Sequence, residues 1–394
     1  MDLGFEGDFR CLRKSVNEQL HPDWISEVEE NWVKLAPTRF QTVFANDIRP
    51  DAKAAWTNYF SGRKNDVTDI YHLESIVDLV KKCKNKEFSF PSGVDIVTGG
   101  FPCQDFSVAG KRLGFNSQKS HLGMLLEKDE PSEESRGKLY IWMREVVSIV
   151  KPKMFIAENV KGLTNLNDVK EVIEHDFSAA CDGGYLVIPA RVLYAADYGV
   201  PQSRERVIFF GFRKSCLKKK ALEELSRKTI SPDYDPYPQK THGQGLKPYV
   251  TCADAFVGLQ EPGTSADEAQ NAYSRGKFLG HGQGQSEIKL DSVGPTIRSE
   301  HHGNIEYRRL SKEHGGTHSE ELAAGLQERR LSVRECARIQ TFPDDYAFVF
   351  GKNELGRGLS SSDAYKIIGN AVPCVLAYNI ARSIESNWDK YFKK

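Results

Sequence analysis

The sequence predicts an α/β fold built on a parallel sheet, and two observations predict it. The apolar runs "TVFAND" (42–47), "VDIVTGG" (94–100) and "MFIAENV" (154–160) each end in polar or glycine residues, as buried strands do. Between the last two lies "GKLYIWMREVVSIV", with Leu139, Trp142, Val146, Val147 and Val150 at helical spacing. Strand and helix in alternation read as βαβ units, and such units make parallel sheets. Ligands of these sheets bind beyond the carboxyl ends of the strands. Asp47, Cys103 and Glu158 stand at those ends.

The remaining elements follow in order. "YLVIPARVLYAADYGVPQSRERVIFFGF" (185–212) reads as two strands joined by a Pro-containing loop. The composition shifts near Lys214. From there to about Glu306 the chain is rich in Gly, Pro, Lys, Gln and His, with weak apolar periodicity, which predicts a second domain dominated by loops. Order returns in "RRLSVRECARIQTFPDDY" (329–346), a short amphipathic helix stopped by Pro343. Leu376, Ile380, Ile384 and Trp388 keep a four-residue step, which suits a final helix packed by one face.

Composition excludes several classes. Charged residues balance, 54 basic against 54 acidic, so any phosphate-binding surface must come from local patches. No apolar run approaches a membrane span, and "MDLGFEGDFR" lacks the basic-then-apolar pattern of a secretion signal. The eight cysteines are scattered without a C-x-x-C pair, so neither a disulfide framework nor a zinc framework is expected, and a reduced cytoplasm is the default.

Three positions carry potential chemistry. Cys103 follows Pro102 in "TGGFPCQDFSVAG", at a strand end where a turn exposes it. A nucleophilic thiol needs that access and a stabilised thiolate; a buried structural thiol has equal weight on context alone. Glu158 follows "MFIA" directly, where burial either pairs it with a cation or raises its pKa for proton transfer. Arg204 and Arg206 alternate in "QSRER" and can serve anions, although a solvated edge is individually the commoner use.

Taken together the motifs say more. Pro102-Cys103, Glu158-Asn159-Val160, Gln202-x-Arg204-x-Arg206, "RECARIQTFP" (334–343) and "GNAVP" (369–373) occur in that order. In this the chain resembles the DNA (cytosine-5) methyltransferase family of bacterial restriction–modification type, from about Asp2 to Trp388 with most of 214–306 excluded. The resemblance implies a Rossmann-like S-adenosylmethionine-dependent sheet with a smaller target-recognition domain. Residues 1–213 would be the catalytic domain, 214–306 the recognition domain, and 307–394 the return segment and C-terminal helix. In the family a Phe-x-Gly-x-Gly-Gly loop precedes a Leu-Gly-Phe segment. Leu3-Gly4-Phe5 therefore implies a start inside that first motif, with the first strand and glycine loop missing.

The resemblance also implies roles. Cys103 would add to C6 of cytosine so that C5 can take the methyl group. Glu158 would meet N3 and the exocyclic amine, Asn159 would brace the cysteine loop, Arg204 would contact the base oxygen or its phosphate, and Arg206 would support the site. Asp47, Ile48, Asp66, Val67, Pro102, Leu139, Asn370 and Val372 would hold S-adenosylmethionine. Ser107, Lys111, Arg112 and Gln202 would meet double-stranded DNA, with the loop after Cys103 closing over it and the target base flipped out. No metal is implied; His301 with His302, and His314 with His318, make poor ligand geometry. A monomer in the cytoplasm, acting on the same site as a cognate restriction endonuclease, completes the implication. Three alternatives stay open. One is a tRNA substrate, although the Cys-Phe-Thr signature of that branch is absent. Another is a DNA-binding remnant without activity. The last is a redox role for Cys103.

Overall fold

The computed structural model describes residues 1–64, 66–101, 139–165, 169–280, 282–299, 305–348, 351 and 358–393. Pro102, Cys103, Ser107, Lys111, Arg112, His301 and His302 lie outside them. In chain order the strands are β1 (Arg10–Leu12), β2 (Ile25–Val28), β3 (Trp32–Leu35), β4 (Ala45–Asp47), β5 (Tyr71–Leu73), β6 (Ile96–Gly100), β7 (Met154–Val160), β8 (Tyr185–Tyr194), β9 (Glu205–Arg213), β10 (Tyr307–Arg309) and β11 (Arg329–Arg330). The three strands expected from the apolar runs are β4, β6 and β7.

The principal sheet has the order β6-β7-β9-β8. β6 and β7 are parallel, from Ile96 opposite Met154 to Gly100 opposite Glu158. The helix Leu139–Val150 makes the crossover between them. β9 runs antiparallel to both β7 and β8, so the sheet is mixed, not wholly parallel as the alternation suggested. The reason is the connection: residues 195–204 are too few for the crossover of a dozen or more residues that a parallel return needs. β8 is the sheet edge and tolerates Pro189 inside a register shift between Ile188 and Arg191. β4 and β5 form a separate parallel pair. Among the described residues no strand is paired with the other edge of β4 or of β6.

Both faces of β7 and β9 are covered, which explains their unbroken apolar runs. Met154, Ile156, Ile208, Phe210 and Phe212 point into the larger core cluster. Phe155, Ala157, Val207 and Phe209 point into the other, against Trp142 and Val146 of the crossover helix. Gly211 is required here, because a Cβ on it would lie 1.9 Å from the Phe155 ring.

The C-terminal helix Cys374–Tyr391 runs through the larger cluster. Leu376, Ile380 and Ile384 are fully buried, as their spacing predicts, but so are Ala377, Tyr378 and Ala381, so the first half of this helix is enclosed all round. An apolar window in Ser361–Tyr391 is long enough for a membrane crossing, yet 72% of it is buried in the protein, which marks core helix. The N-terminal helix Asp2–Glu6 packs so closely on it that a Cβ on Gly4 would meet the Ala377 Cβ at 2.4 Å.

The 214–306 segment does not build a core of its own among the described residues. Leu217, Ala221, Ile230, Tyr237, Cys252, Ile288 and Ile297 all join the larger cluster. With little periodic apolar surface of its own, the segment contributes these buried residues to the same cluster as the C-terminal helix. β1–β3 form an antiparallel sheet that the sequence did not suggest; three or four residues per strand, mostly exposed in β2, leave little pattern to read.

Candidate active site

Glu158 lies near the carboxyl end of β7, opposite Gly100 of β6. A side chain at Gly100 would crowd it, since a Cβ there would sit 3.1 Å from Glu158 Oε2. Arg206 is two positions from Glu158's direct partner on β9, Ile208, and so lies on the same face. Its Nε stands 2.7 Å from Glu158 Oε1, with both side chains almost enclosed at 12% and 13% exposure. A charge-assisted pair of this kind fixes the direction of the carboxylate.

Asn159, the next residue, is buried and points to the opposite face. Its Nδ2 donates to the Phe101 carbonyl at 3.2 Å, and its Oδ1 accepts from the Val160 N–H at 2.8 Å. Asn159 thereby holds the last described residue before Pro102 and Cys103. The structure brings Glu158, Asn159, Arg206 and the entry to the cysteine loop to one place, at the strand ends where the α/β rule puts a site.

Arg204 behaves differently from the sequence expectation. It is 1% exposed and donates to Ile297 O at 3.0 Å, Gly369 O at 2.9 Å and Ala371 O at 3.0 Å. A guanidinium bonded to three main-chain carbonyls ties the 202–206 segment to the "GNAVP" turn. Gln202 needs the same correction. It is fully buried, accepts from Ile297 N at 3.1 Å, donates to Ile339 O at 3.3 Å and bonds Gln340, so here it acts as an interior strut. Gln340 in turn donates to Ala371 O. Gln340 had been visible only as one letter of "RECARIQ".

The described residues assigned to a donor lie in four places: the end of β4, the 66–67 loop, the start of the crossover helix and the "GNAVP" turn. Asp47 ends β4, and its Oδ1 accepts from the Arg49 N–H at 3.0 Å. Burial pushes the Asp47 carboxyl above its ordinary range against the lowering effect of that bond. Ile48 beside it is 44% exposed. Asp66 is exposed, accepts from the Thr68 N–H at 2.8 Å, and is held below the usual range by that bond. Val67 packs on the larger cluster. Leu139 starts the crossover helix. Asn370 is exposed at the end of the helix Ser361–Asn370, while Val372 is buried. A strand-end carboxylate with an exposed apolar neighbour fits the hydroxyl-bearing ribose of a nucleoside.

The return segment is pinned by ion pairs. Arg329 forks onto Glu335 with bonds of 2.9 and 2.8 Å. Glu335 also closes a capping box with Ser332 at the start of the helix Val333–Ile339. That helix ends at Ile339, short of Pro343, because Thr341 adopts φ 61°. His314 pairs with Glu328 at 2.7 Å and stacks on Phe278, and His318 faces Glu287 at 3.2 Å; both are occupied in protein contacts.

A mixed α/β sheet carries an almost enclosed carboxylate–arginine pair at its strand ends, the place where sheets of this kind bind ligands. Comparison with known proteins specifies the site. The family model for C-5 cytosine-specific DNA methylases matches residues 31–386, and the chain belongs to that family. The Type II methyltransferase M.BspRI of Lysinibacillus sphaericus is 34% identical over 100% of this chain and 80% of its own length. M.BsuRI of Bacillus subtilis is 31% identical over 98% and 77%. The crystal structure of the S. pombe Dnmt2 methyltransferase shares the fold, with a TM-score of 0.53 at 17% identity, covering 87% of this chain and 90% of that one.

Proposed function

We propose that this enzyme transfers a methyl group from S-adenosylmethionine to C5 of a cytosine flipped out of a short specific duplex site. It acts as a cytoplasmic monomer, protecting that site from a cognate restriction endonuclease. The observation that carries the reading is the Glu158–Arg206 pair, held beside the entry to the Cys103 loop.

Each residue has a task. The Cys103 thiolate, a position outside the described residues, adds to C6 of the ring, and the electron pair displaced from C5–C6 makes C5 nucleophilic. Glu158 holds N3 and its proton, so charge does not build up on the ring as sulfur adds. Arg206, already fixed on Glu158, has donors left to bond the base oxygen; this role moves to it from Arg204. Asn159 keeps the cysteine loop in register through Phe101. Asp47 and Ile48 are placed to hold the donor's ribose and adenine, with Asp66, Val67, Leu139, Asn370 and Val372 around them. The donor supplies an electrophilic methyl group. After transfer, loss of the C5 proton and elimination of the Cys103 sulfur restore the aromatic ring and the free thiol. The 214–306 segment carries the base-edge contacts that set the site.

The test is bisulfite sequencing of DNA from a methylation-free host that expresses this chain. Protection of cytosines in one short motif is expected, together with its loss in Cys103→Ser and Glu158→Gln. Unprotected DNA with methylated host tRNA would move the substrate to RNA.

A further inference from the structure

Arg298 lies outside every motif used so far, yet its backbone is clamped to the site from two sides. The segment 294–298 runs along the lead-in to β9. Ser203 N donates to Gly294 O at 2.7 Å, and Gly294 N to Pro201 O at 2.9 Å. Gln202 Oε1 accepts from Ile297 N at 3.1 Å, and Arg204 donates to Ile297 O at 3.0 Å. On the other side the chain presses against Gly369, where a Cβ would lie 2.3 Å from the Arg298 carbonyl carbon. The Cα of Arg298 is therefore fixed relative to both Arg206 and the "GNAVP" turn.

Its side chain is aimed as well. Arg298 Nη1 donates to Glu306 Oε1 at 2.9 Å. Glu306 is 4% exposed, and its Oε2 is buried without a hydrogen-bond partner among the described residues. Burial raises the Glu306 carboxyl, and Arg298 and Arg330 oppose that rise. Arg298 itself keeps 27% of its side chain exposed. No other hydrogen bond or ion pair of its guanidinium is found among the described residues. A guanidinium held by one nitrogen on a buried acid presents a fixed fork of donors outward. The acid also offsets the charge that would draw a phosphate, while the directional donors remain. That combination favours a base edge over the backbone. The acceptor pair matching an arginine fork is N7 and O6 of guanine. Any duplex site that contains a cytosine contains a guanine.

We infer that Arg298, oriented by Glu306 as a positioning residue, reads a guanine of the recognised site. The inference rests on the DNA-methylation reading. Wild-type methylation of a defined duplex site, measured first, tests that reading alone.

With the site known, kcat/KM is measured on the natural duplex and on duplexes carrying 7-deazaguanine at each guanine in turn. Arg298→Ala is expected to lower kcat/KM on the natural site roughly tenfold to a hundredfold. It should make one 7-deazaguanine duplex, on which wild type is slow, no slower than the natural one. Arg298→Lys, which keeps charge but not the fork, should lose the same discrimination while holding the thermal midpoint. Glu306→Gln should show a smaller loss at that same guanine. Wild-type sensitivity to every 7-deazaguanine in Arg298→Lys would overturn the inference. So would a loss that appears only as a shallower salt dependence, the mark of a phosphate contact. A fall in activity that follows the melting temperature alone would do the same.

Discussion

Arg206 on β9 reaches diagonally to Glu158 on the neighbouring strand β7 at 2.7 Å, and this pair separates two arginines that look equivalent in "QSRER". Arg204, two residues earlier, spends its guanidinium on Ile297, Gly369 and Ala371 carbonyls. The two should therefore fail differently. Arg206→Ala is expected to lower the single-turnover methylation rate by roughly 10²–10³, the scale for losing one donor at a developing charge, with a smaller loss of stability than Arg204→Ala because the Glu158 side chain left behind keeps 13% of its surface exposed. Arg204→Ala removes the donor of two buried carbonyls, Ile297 O and Gly369 O, while Ala371 O keeps Gln340, and should cost about 3 kcal/mol of folding stability. Denaturant titration beside rapid-quench kinetics distinguishes them. A stable but inactive Arg204→Ala would return the base contact to Arg204.

Asn159 makes a separable prediction. Its bond to Phe101 extends the β6–β7 pairing one residue further toward Cys103. Asn159→Ala should cost about 1–2 kcal/mol, the scale for a buried carbonyl left unpaired. It should also slow methyl transfer while DNA affinity in a gel-shift assay stays near wild type. Equal losses of rate and affinity would mean that Asn159 shapes the DNA surface instead of the loop.

Much of this arrangement was legible in the residues. The crossover helix and the final helix keep a helical spacing, and β6 and β7 are marked by apolar runs; each appears where the residues put it. Glu158 was conspicuous because a carboxylate is costly directly after "MFIA". What escaped was decided by tertiary partners. Nothing in "QSRER" distinguishes the arginine that meets Glu158 from the one that meets carbonyls. The antiparallel placement of β9 followed from connection length, not from apolar pattern. The 214–306 segment read as separate because its apolar residues lack a period, yet Ile230, Cys252 and Ile288 find burial against the sheet domain. Gln202 is polar and sits in a motif, which suggests a surface role, and the structure makes it an interior strut.

The return segment should be the mechanical weak point. Arg329 is 5% exposed, Glu335 3%, and they share two bonds. Glu261, beside Arg329 and Arg309, would be raised by burial, but those arginines hold it below the ordinary range. Removing one member strands an opposite charge in the interior. Arg329→Leu is expected to destabilise the fold by about 3–5 kcal/mol in urea unfolding. The doubly substituted Arg329→Leu, Glu335→Leu chain should recover part of that loss, less about 1 kcal/mol for the capping box that Glu335 closes. No recovery would mean that the pair's worth lies in its other partners.

Asp47 gives a pH-dependent prediction with a definite sign. Burial raises its carboxyl pKa in the folded state above the unfolded value. The folded state therefore favours the protonated form. That contribution to stability is complete below the ordinary carboxyl range and is lost as pH rises through the folded-state pKa. At neutral pH the ionised carboxylate is held at a cost, which suits a group that acts by accepting ribose hydroxyls. Asp47→Asn removes the charge but keeps an oxygen for the Arg49 N–H. It should raise the urea midpoint at pH 7, and the gain should shrink toward zero as pH falls below the ordinary carboxyl range. S-adenosylmethionine affinity, measured by calorimetry, should fall in the same variant. A lower midpoint at pH 7 would show that the carboxylate itself secures the turn after β4, and donor binding would then have to rest on Ile48 and the "GNAVP" turn.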